Sequence, residues 1–184
     1  MPRVNLLYVV TKLELGGAQK QLLHLIRRLD QEKYRIFLFT AQEGELIPEA
    51  QALKGLELKR SRFLERPLNP LNDALALIEL CSFIKNNAIQ IIHTHSSKAG
   101  ILGRIAGALT RIPLLIHTVH GWSFNDYQPF LFHRLYLWLE RFCAKFTHKI
   151  IVVSEFDRAK GLKNSIGHQG QYCLINYGLE MQNF

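Results

Sequence analysis

The chain has 184 residues, of which 48% are hydrophobic, and its formal net charge is +8. Such a chain forms one globular domain rather than a disordered segment, and it contains no apolar run long enough for a transmembrane helix. It also has no nucleic-acid-binding signature, so the positive charge favours another anionic partner, a nucleotide diphosphate or a membrane surface.

The chain begins with a predicted strand, a glycine turn and a helix. Residues 4–10 form a continuous apolar run, the pattern of a strand buried on both faces. Gly16 and Gly17 then precede a helix, and this order places backbone N–H groups where a phosphate could approach. A tight turn that requires a positive φ explains the two glycines equally well. The residues predicted to face inward are Ala18, Leu22, Leu25, Ile26 and Leu29.

Two further strands and a long helix follow. Strands are predicted at residues 34–40 and 56–59, with a small helix that contains Pro48 between them. Asn69 is predicted to cap, and Pro70 to open, a helix that continues to about Asn87. Its predicted inward residues are Leu71, Ala74, Leu75, Ile78, Cys81 and either Phe83 or Ile84.

The segment 89–121 carries the strongest functional signal. We predict strands at 89–93 and 114–118, separated by a helix at about 98–110 in which Gly100, Gly103 and Gly107 allow close packing on the sheet. Polar clusters follow both strands, at the edge of a parallel sheet where ligands bind. These clusters, which resemble half of an active site, are His93, His95, Ser96, Ser97 and Lys98, and then His117, Thr118, His120 and Gly121.

An aromatic segment and the last elements complete the chain. Residues 122–146 hold nine aromatic side chains, together with several basic residues, and a helix is expected to begin near Pro129. This helix could present an interfacial membrane face, although core packing is the more usual explanation of such a stripe. A strand at 149–154, a helix at 155–162 and a strand at 172–175 follow.

Strands and helices alternate throughout, and most strands are continuous apolar runs. This pattern predicts an α/β fold, a Rossmann-like doubly wound parallel sheet of about seven strands with right-handed crossovers. Cys81, Cys143 and Cys173 lie far apart in apolar surroundings, and no secretory signal is evident. We therefore expect reduced cysteines in a cytoplasmic protein.

Each candidate site residue also has a structural explanation. His93 and His95 point to one side of an extended segment, but no third metal ligand is evident, so polar lining of a cleft is favoured over zinc. His120 could donate to a hydroxyl or phosphate, or it could bond the local backbone. Ser154 is best explained as a helix N-cap. The usual hydrolase, NTPase and dehydrogenase motifs are absent from the sequence.

Several motifs, in this order and spacing, resemble one known family. They are GGAQKQLLHLIRRL, IQIIHTHSSKAGILGRIAGAL, IPLLIHTVHG, KIIVVSE and INYGLE. Together they resemble the N-terminal domain of retaining glycosyltransferases of the GT-B fold, family 4, the glycogen-synthase-like kind. The resemblance covers residues 1–184 as a single GT-B N-terminal domain. It implies sugar transfer from a nucleotide sugar to a glycan or lipid-linked acceptor in surface polysaccharide or glycolipid synthesis, with no metal.

The resemblance also implies roles for individual residues. His120 matches the catalytic histidine that faces the donor sugar and the reaction centre. Gly16 and Gly17 match a loop that borders the donor diphosphate. His95 and Ser96 match the acceptor-side turn, while Gly121 and Ser154 are further candidates for substrate binding.

Two features depart from the family pattern. Tyr177-Gly178-Leu179-Glu180 stands where the family often has Asn-Gly-Ile-Asp, at a connection between domains to which we assign no catalytic role. The nucleotide-binding domain with its Glu-x7-Glu motif is not in the sequence. We therefore expect an acceptor-binding half that is inactive without such a domain, which a partner subunit could supply. It would be cytoplasmic, with peripheral attachment to the inner face of the membrane as a further expectation. The alternative is a non-catalytic Rossmann-like module that holds a glycan or lipid-linked acceptor at the membrane.

Overall fold

The computed structural model describes residues 2–124 and 129–178. Its seven strands are all parallel and form one sheet, which confirms the predicted doubly wound α/β fold. The strands are β1 (Val4–Val9), β2 (Tyr34–Ala41), β3 (Leu56–Ser61), β4 (Ile91–His95), β5 (Leu114–Val119), β6 (Lys149–Val152) and β7 (Tyr172–Leu174). The helices are α1 (Gly17–Arg28), α2 (Ile47–Gln51), α3 (Pro70–Asn86), α4 (Ser97–Leu109), α5 (Phe130–Ala144) and α6 (Glu155–Lys163).

The strand order determines where a ligand can bind. The order is β3-β2-β1-β4-β5-β6-β7, so the winding reverses between β1 and β4. Helices α1 and α2 pack on one face of β1 and β2 through Leu22, Ile26 and Ile47. Helices α3 and α4 pack on the opposite face. The carboxyl ends of β1 and β4 therefore flank a crevice at the switch point, the usual ligand position in this class of sheet.

Strand β4 begins and ends two residues later than predicted. Its pairing with β1 runs from Leu6↔Ile91 to Val9↔Thr94, and its pairing with β5 continues to His95↔Thr118, so both histidines belong to the strand. Backbone pairing does not depend on side-chain polarity, which explains why the apolar run alone misplaced the strand. His93 and His95 are consequently 7% and 4% exposed within the strand rather than lying in a turn.

The predicted inward face of α3 is wrong in the first half of the helix and correct near its end, where Ile84 is buried and Cys81 packs against the core. The buried residues are Ala76, Leu80 and Ile84, whereas Leu71 and Ile78 are 69% and 65% exposed. Apolar residues surround most of this helix, so their spacing does not single out one face. The predicted start is correct, because the Asn69 side chain accepts a hydrogen bond from the backbone N–H of Asn72.

The three glycines of α4 pack directly on the sheet, as predicted. A Cβ atom at Gly103 would lie 2.5 Å from Cγ2 of Thr94, and one at Gly107 would lie 2.5 Å from Cδ1 of Leu115. A Cβ atom at Gly100 would meet the ring of His117. Close contact between helix and strands therefore requires glycine here and offsets its low helix propensity.

Core packing explains only part of the aromatic segment. Cys143 and Ala144 of α5 are buried, but Leu131 and Trp138 are 76% and 60% exposed. The expectation that the stripe is core is therefore wrong for the outer side of this helix. Residues 125–128 of the segment, and Leu179 and Glu180 of the C-terminal motif, lie outside the described residues. Among the helices of the described ranges, none has the length and apolar character to span a membrane.

Candidate functional site

Two histidines from neighbouring strands form a pair at the carboxyl edge of the sheet. His95 is the last residue of β4, and His120 follows the end of β5. Nδ1 of His95 and Nε2 of His120 are 2.8 Å apart and share a hydrogen bond. Their rings are stacked, with centroids 5.1 Å apart. The parallel pairing of β4 with β5 thus joins residues that are 25 positions apart in the sequence.

A tyrosine from the segment after β7 completes this pair. The hydroxyl group of Tyr177 is hydrogen-bonded to Nδ1 of His120, and the two rings are stacked. Gln21 of α1 holds the same segment, because its Nε2 donates to the carbonyl oxygen of Gly178 at 2.8 Å. Both ring nitrogens of His120 are therefore engaged by protein groups.

Two further rings lie beneath the pair. His93 lies 4.3 Å from His95 between ring centroids, and the ring of Tyr8 of β1 is tilted against both, with centroids 5.2 and 5.8 Å away. Nε2 of His93 is 2.7 Å from the hydroxyl of Thr118. The prediction that His93 and His95 point to one side of the sheet is confirmed.

Burial keeps these imidazoles neutral. Desolvation lowers the pKa of His93 to about 3, with a smaller contribution from His120. Desolvation also lowers the pKa of His120 to about 4 and that of His95 well below its usual range. Nε2 of His95 is buried and has no hydrogen-bond partner among the described residues. At neutral pH the site therefore offers uncharged donors and acceptors rather than cations.

The histidines line a cavity of about 660 Å³. One end is polar, formed by His95, His120 and Tyr177. The rest of the cavity runs along one face of β5 and β6, which the described helices cover only in part. Ile116 of β5 and Ile151 of β6 form an apolar wall there. Leu25, which we predicted to face the core, is 41% exposed and lines the same cavity.

Ser96 lies at the switch point and contacts Thr11, two residues after the end of β1. Its hydroxyl is 2.8 Å from that of Thr11, and it accepts a hydrogen bond from the backbone N–H of Thr11. The Thr11 hydroxyl in turn accepts from the backbone N–H of Ala99, so it caps α4 from the segment that follows β1. Ser96 has a φ of +61°, a strained conformation for a residue with a side chain.

A second cavity of about 420 Å³ adjoins Ser96. Its lining is polar and includes Lys12, Arg66 and Lys98. Glu14 forms an ion pair with Arg66 at 2.9 Å. Lys98 is also paired, with Asp73. Three cationic side chains and the N-terminal turn of α4 therefore line the same cavity. This combination suits an anionic ligand.

The remaining predicted site residues do not line either cavity. Gly16 and Gly17 begin α1, but neither contributes to the cavity walls. Gly121 has a φ of +119°, which only glycine adopts readily. Ser154 caps α6: its hydroxyl accepts from the backbone N–H of Asp157 at 3.1 Å and donates to Oδ2 of the same residue at 2.6 Å. The structural explanation of Ser154 as an N-cap is confirmed.

Tyr8 and Thr11 are not among the site residues predicted from the sequence, and neither is the contact that Tyr177 makes with His120. Tyr8 lies within an apolar run and pairs in register with His93, which no sequence pattern indicates. Tyr177 offered a signal, because it stands at a position where the resembling family often has asparagine. In the described part of the chain, no group of three or more His, Cys, Asp or Glu side chains has an arrangement that could hold a metal ion.

The sequence of this chain matches a protein-family profile. The sequence profile described as Glycosyltransferase Family 4 matches residues 15–166. An Escherichia coli relative, UDP-Gal:alpha-D-GlcNAc-diphosphoundecaprenol alpha-1,3-galactosyltransferase, is 31% identical over 92% of this chain and 43% of its own length. The O-antigen biosynthesis glycosyltransferase WbnH of Escherichia coli is 29% identical over 87% of this chain and 44% of its own length. The chain thus spans less than half the length of these relatives.

A solved structure of a glycosyltransferase from Rickettsia africae ESF-5 has the same fold. It superposes with a TM-score of 0.76 at 18% identity and covers 97% of this chain and 44% of the other. The overlap agrees with the GT-B N-terminal fold expected from the motifs. At this level of identity the likeness concerns the fold alone.

Proposed function

Because the chain belongs to glycosyltransferase family 4, we propose that it is the acceptor-side half of an enzyme of surface polysaccharide synthesis. The enzyme would move a sugar from a nucleotide sugar to a lipid-linked glycan acceptor. The two E. coli relatives named above, one of which acts on a diphosphoundecaprenol-linked sugar by its name, support this substrate class.

The observation that carries the proposal is the His95–His120 pair at the polar end of an apolar cavity. Burial keeps both rings neutral, so the pair presents His120 to a sugar hydroxyl as an uncharged hydrogen-bonding group that His95 holds in place. We assign to His120 the role of orienting the donor sugar. Holding reacting groups in line contributes several kcal/mol to catalysis.

His120 can hydrogen-bond to a sugar only if one of its two hydrogen bonds to protein groups is broken. The bond to His95 is partly buried, whereas the bond to Tyr177 is exposed and Tyr177 itself is 41% exposed. The Tyr177 hydroxyl is therefore the partner that a sugar hydroxyl would displace. The bond to His95 would then keep the imidazole plane fixed while substrate binds.

The second cavity is the proposed position of the acceptor diphosphate. Lys12, Arg66 and Lys98 supply positive charge there, and Ser96 and Ser97 supply the N-terminal turn of α4. A lipid-linked diphosphate is anionic, so it would compete with Glu14 and Asp73 for these cations.

Transfer by this chain would require a second domain. The leaving diphosphate must be stabilised on the opposite side of the reacting sugar while the acceptor is held in line. The residues of this chain would form one wall of such a cleft. We therefore propose that residues 1–184 bind acceptor but do not catalyse transfer by themselves.

A transfer assay tests this function. Radiolabelled galactose transfer from UDP-galactose to GlcNAc-diphosphoundecaprenol is measured for the chain alone, and again after fusion to the C-terminal half of the E. coli galactosyltransferase. We expect no transfer by the chain alone, transfer by the fusion, and a loss of at least about a hundredfold in the fusion with His120→Ala. The exposed His168 lies outside both cavities, so His168→Gln is the matched control. Transfer by the chain alone, or a fully active His120→Ala fusion, would contradict the proposal.

One observation favours a second candidate function. Both ring nitrogens of His120 are engaged by protein groups, as expected for a site that binds without chemistry. A non-catalytic module that holds a lipid-linked acceptor would bind the acceptor as proposed. It would, however, remain inactive when fused to a competent second domain.

A further inference from the structure

Helix α5 presents an apolar stripe to the outside. Leu131, Leu135, Trp138 and Phe142 recur at spacings of four, three and four residues, which places them on one side of the helix. Their exposed fractions are 76%, 43%, 60% and 41%. Phe130 and Phe132 extend the stripe at its N-terminal end, at 71% and 46%. We call these six residues the α5 outer face.

Contiguous apolar exposure of this kind marks a binding surface. Single exposed apolar residues are ordinary on soluble proteins, but six large ones on four helical turns form a patch. The rings of Trp138 and Phe142 are stacked in parallel with centroids 5.6 Å apart, and both line a surface cavity together with Arg141 and Lys145. None of the six residues lines the cavity that holds His95 and His120.

Basic residues border the α5 outer face. Arg134 lies over the Phe130 ring at 5.3 Å from its centroid. Arg141 is exposed, and its Nε donates to the carbonyl oxygen of Asn164 at 2.7 Å. Lys145, just beyond the helix, is also exposed. Their spacings of seven and four residues place these cations in a row beside the stripe.

No acidic side chain offsets this charge on the helix. Glu140 is the one acidic residue of α5, and it is 2% exposed. Its Oε2 accepts from Nη2 of the buried Arg104 at 2.7 Å, so its charge is neutralised inside the protein. The outer face is therefore both apolar and cationic.

We propose that the α5 outer face binds the surface of an anionic lipid bilayer. A helix with an apolar stripe, bordering Lys or Arg and a tryptophan lies in the plane of the membrane interface, with its apolar side among the acyl chains. Lipid phosphates complement Arg134, Arg141 and Lys145. The surface would bring the site to a lipid-linked acceptor, and in this respect it deepens the proposed function.

Charge favours a bilayer over a second copy of the chain. In a symmetric contact through this face, Arg134, Arg141 and Lys145 of both copies would approach one another. Since Glu140 is buried, the helix itself offers no acidic partner to relieve that repulsion. An anionic bilayer places negative charge against all three cations at once.

Vesicle binding by the complete 184-residue chain tests the proposal. Sedimentation is measured with vesicles of phosphatidylcholine containing about 30% phosphatidylglycerol, whose surface potential is negative, and with phosphatidylcholine alone. We expect binding to the anionic vesicles that weakens as salt is raised, and little binding to neutral ones. Tryptophan fluorescence should be quenched by lipids brominated in their acyl chains, and Trp138→Phe should remove this quenching, because Trp122 is the other tryptophan of the chain.

Two pairs of matched variants locate the surface. Leu131→Glu should weaken vesicle binding at least tenfold, whereas Ile78→Glu, at a similarly exposed apolar residue of α3, should not weaken it. Arg134→Gln should weaken binding about fivefold, the effect of losing about 1 kcal/mol of attraction to anionic lipid. Lys54→Gln, at an exposed residue of another segment, should leave binding within about twofold.

Three results would overturn the proposal. They are equal effects of Leu131→Glu and Ile78→Glu, absence of Trp138 quenching by brominated lipid, and self-association without vesicle binding that Leu131→Glu abolishes. Acceptor binding is measured separately with a short-chain analogue that needs no bilayer. Failure of the membrane surface and failure of the acceptor site are therefore distinguishable.

Discussion

Nδ1 of His95 lies 2.8 Å from Nε2 of His120, and this bond joins the ends of two neighbouring strands. One nitrogen must donate its proton and the other must accept it, so the bond requires at least one neutral ring. Burial lowers the pKa of both rings and thereby keeps them neutral at pH 7. The site is consequently a neutral hydrogen-bonding arrangement that acid should disrupt.

The stability of the fold should fall steeply between pH 6.5 and pH 5. His93, His95, His117 and His120 all have pKa values below the ordinary 6.5, so the unfolded chain binds more protons than the folded one in this range. Their contribution is present above pH 6.5 and is lost as the pH falls towards the folded pKa values, which are about 4 for His120 and about 3 for His93. We expect a loss of about 1 to 2 kcal/mol per histidine by pH 5, measured by urea unfolding. A free energy of unfolding that is unchanged down to pH 5 would contradict buried neutral histidines.

The substitution His120→Gln should make the pH dependence shallower. It removes one group that takes up a proton on unfolding while retaining a side chain that can bond His95. The slope of the free energy of unfolding against pH should decrease by about one proton, or about 1.4 kcal/mol per pH unit near pH 5. An unchanged slope would mean that His120 titrates similarly in both states.

The substitution Gly103→Ala should destabilise the protein although alanine favours helices. The added Cβ would lie 2.5 Å from Cγ2 of Thr94, and overpacking of this kind costs about 1–3 kcal/mol. At Gly17 nothing lies within 4 Å of the corresponding position, so Gly17→Ala should change stability by less than about 0.5 kcal/mol. Thermal or urea unfolding of the two variants checks this, and equal stability of both would refute close packing of α4.

The ion pair of Arg104 and Glu140 should be costly to break and less costly to replace. The two side chains are 0% and 2% exposed, and Nε of Arg104 also donates to the carbonyl oxygen of Gly100 at 2.8 Å. Arg104→Met leaves a buried carboxylate and should cost about 3–5 kcal/mol in urea unfolding. The double variant with Glu140→Leu should recover part of that loss. A double variant that is less stable than the single one would mean that the two residues contribute independently.

Substitutions at Ser154 separate capping from substrate binding. Ser154→Ala should lower stability by about 1 kcal/mol because the backbone N–H of Asp157 loses its acceptor. Ser154→Thr keeps a hydroxyl that can accept from the Asp157 N–H and donate to its carboxylate, so it should retain more stability. In the fusion enzyme, transfer by Ser154→Ala should survive at a temperature where the variant is folded. Loss of transfer in a folded Ser154→Ala protein would mean that Ser154 takes part in substrate binding.

Much of the fold could be predicted from the sequence, because apolar runs and helical spacing alternate regularly. Elements placed by local signals, such as the capped start of α3 at Asn69, are confirmed. The helix faces were harder to predict, because α3 is apolar on most sides and the outer stripe of α5 is as apolar as a core stripe. Side-chain patterns do not show which of two apolar faces the sheet covers.

The candidate site could be predicted less completely than the fold. His95 and His120 follow from the position of their strands, but the hydrogen bond between them depends on the register of β4 against β5. Tyr8 and Tyr177 join them from segments more than 50 residues away from His120, which no local pattern connects. Only the folded sheet brings these four rings together.

Binding of acceptor and donor to the chain tests the central claim most directly. A soluble GlcNAc-diphosphate carrying a short alkyl chain and UDP-galactose are each titrated into the 184-residue protein by calorimetry. The account predicts saturable binding of the acceptor analogue that Arg66→Glu weakens at least tenfold, with much weaker binding of UDP-galactose. Tight binding of UDP-galactose, with no binding of the acceptor analogue, would contradict the acceptor-side assignment.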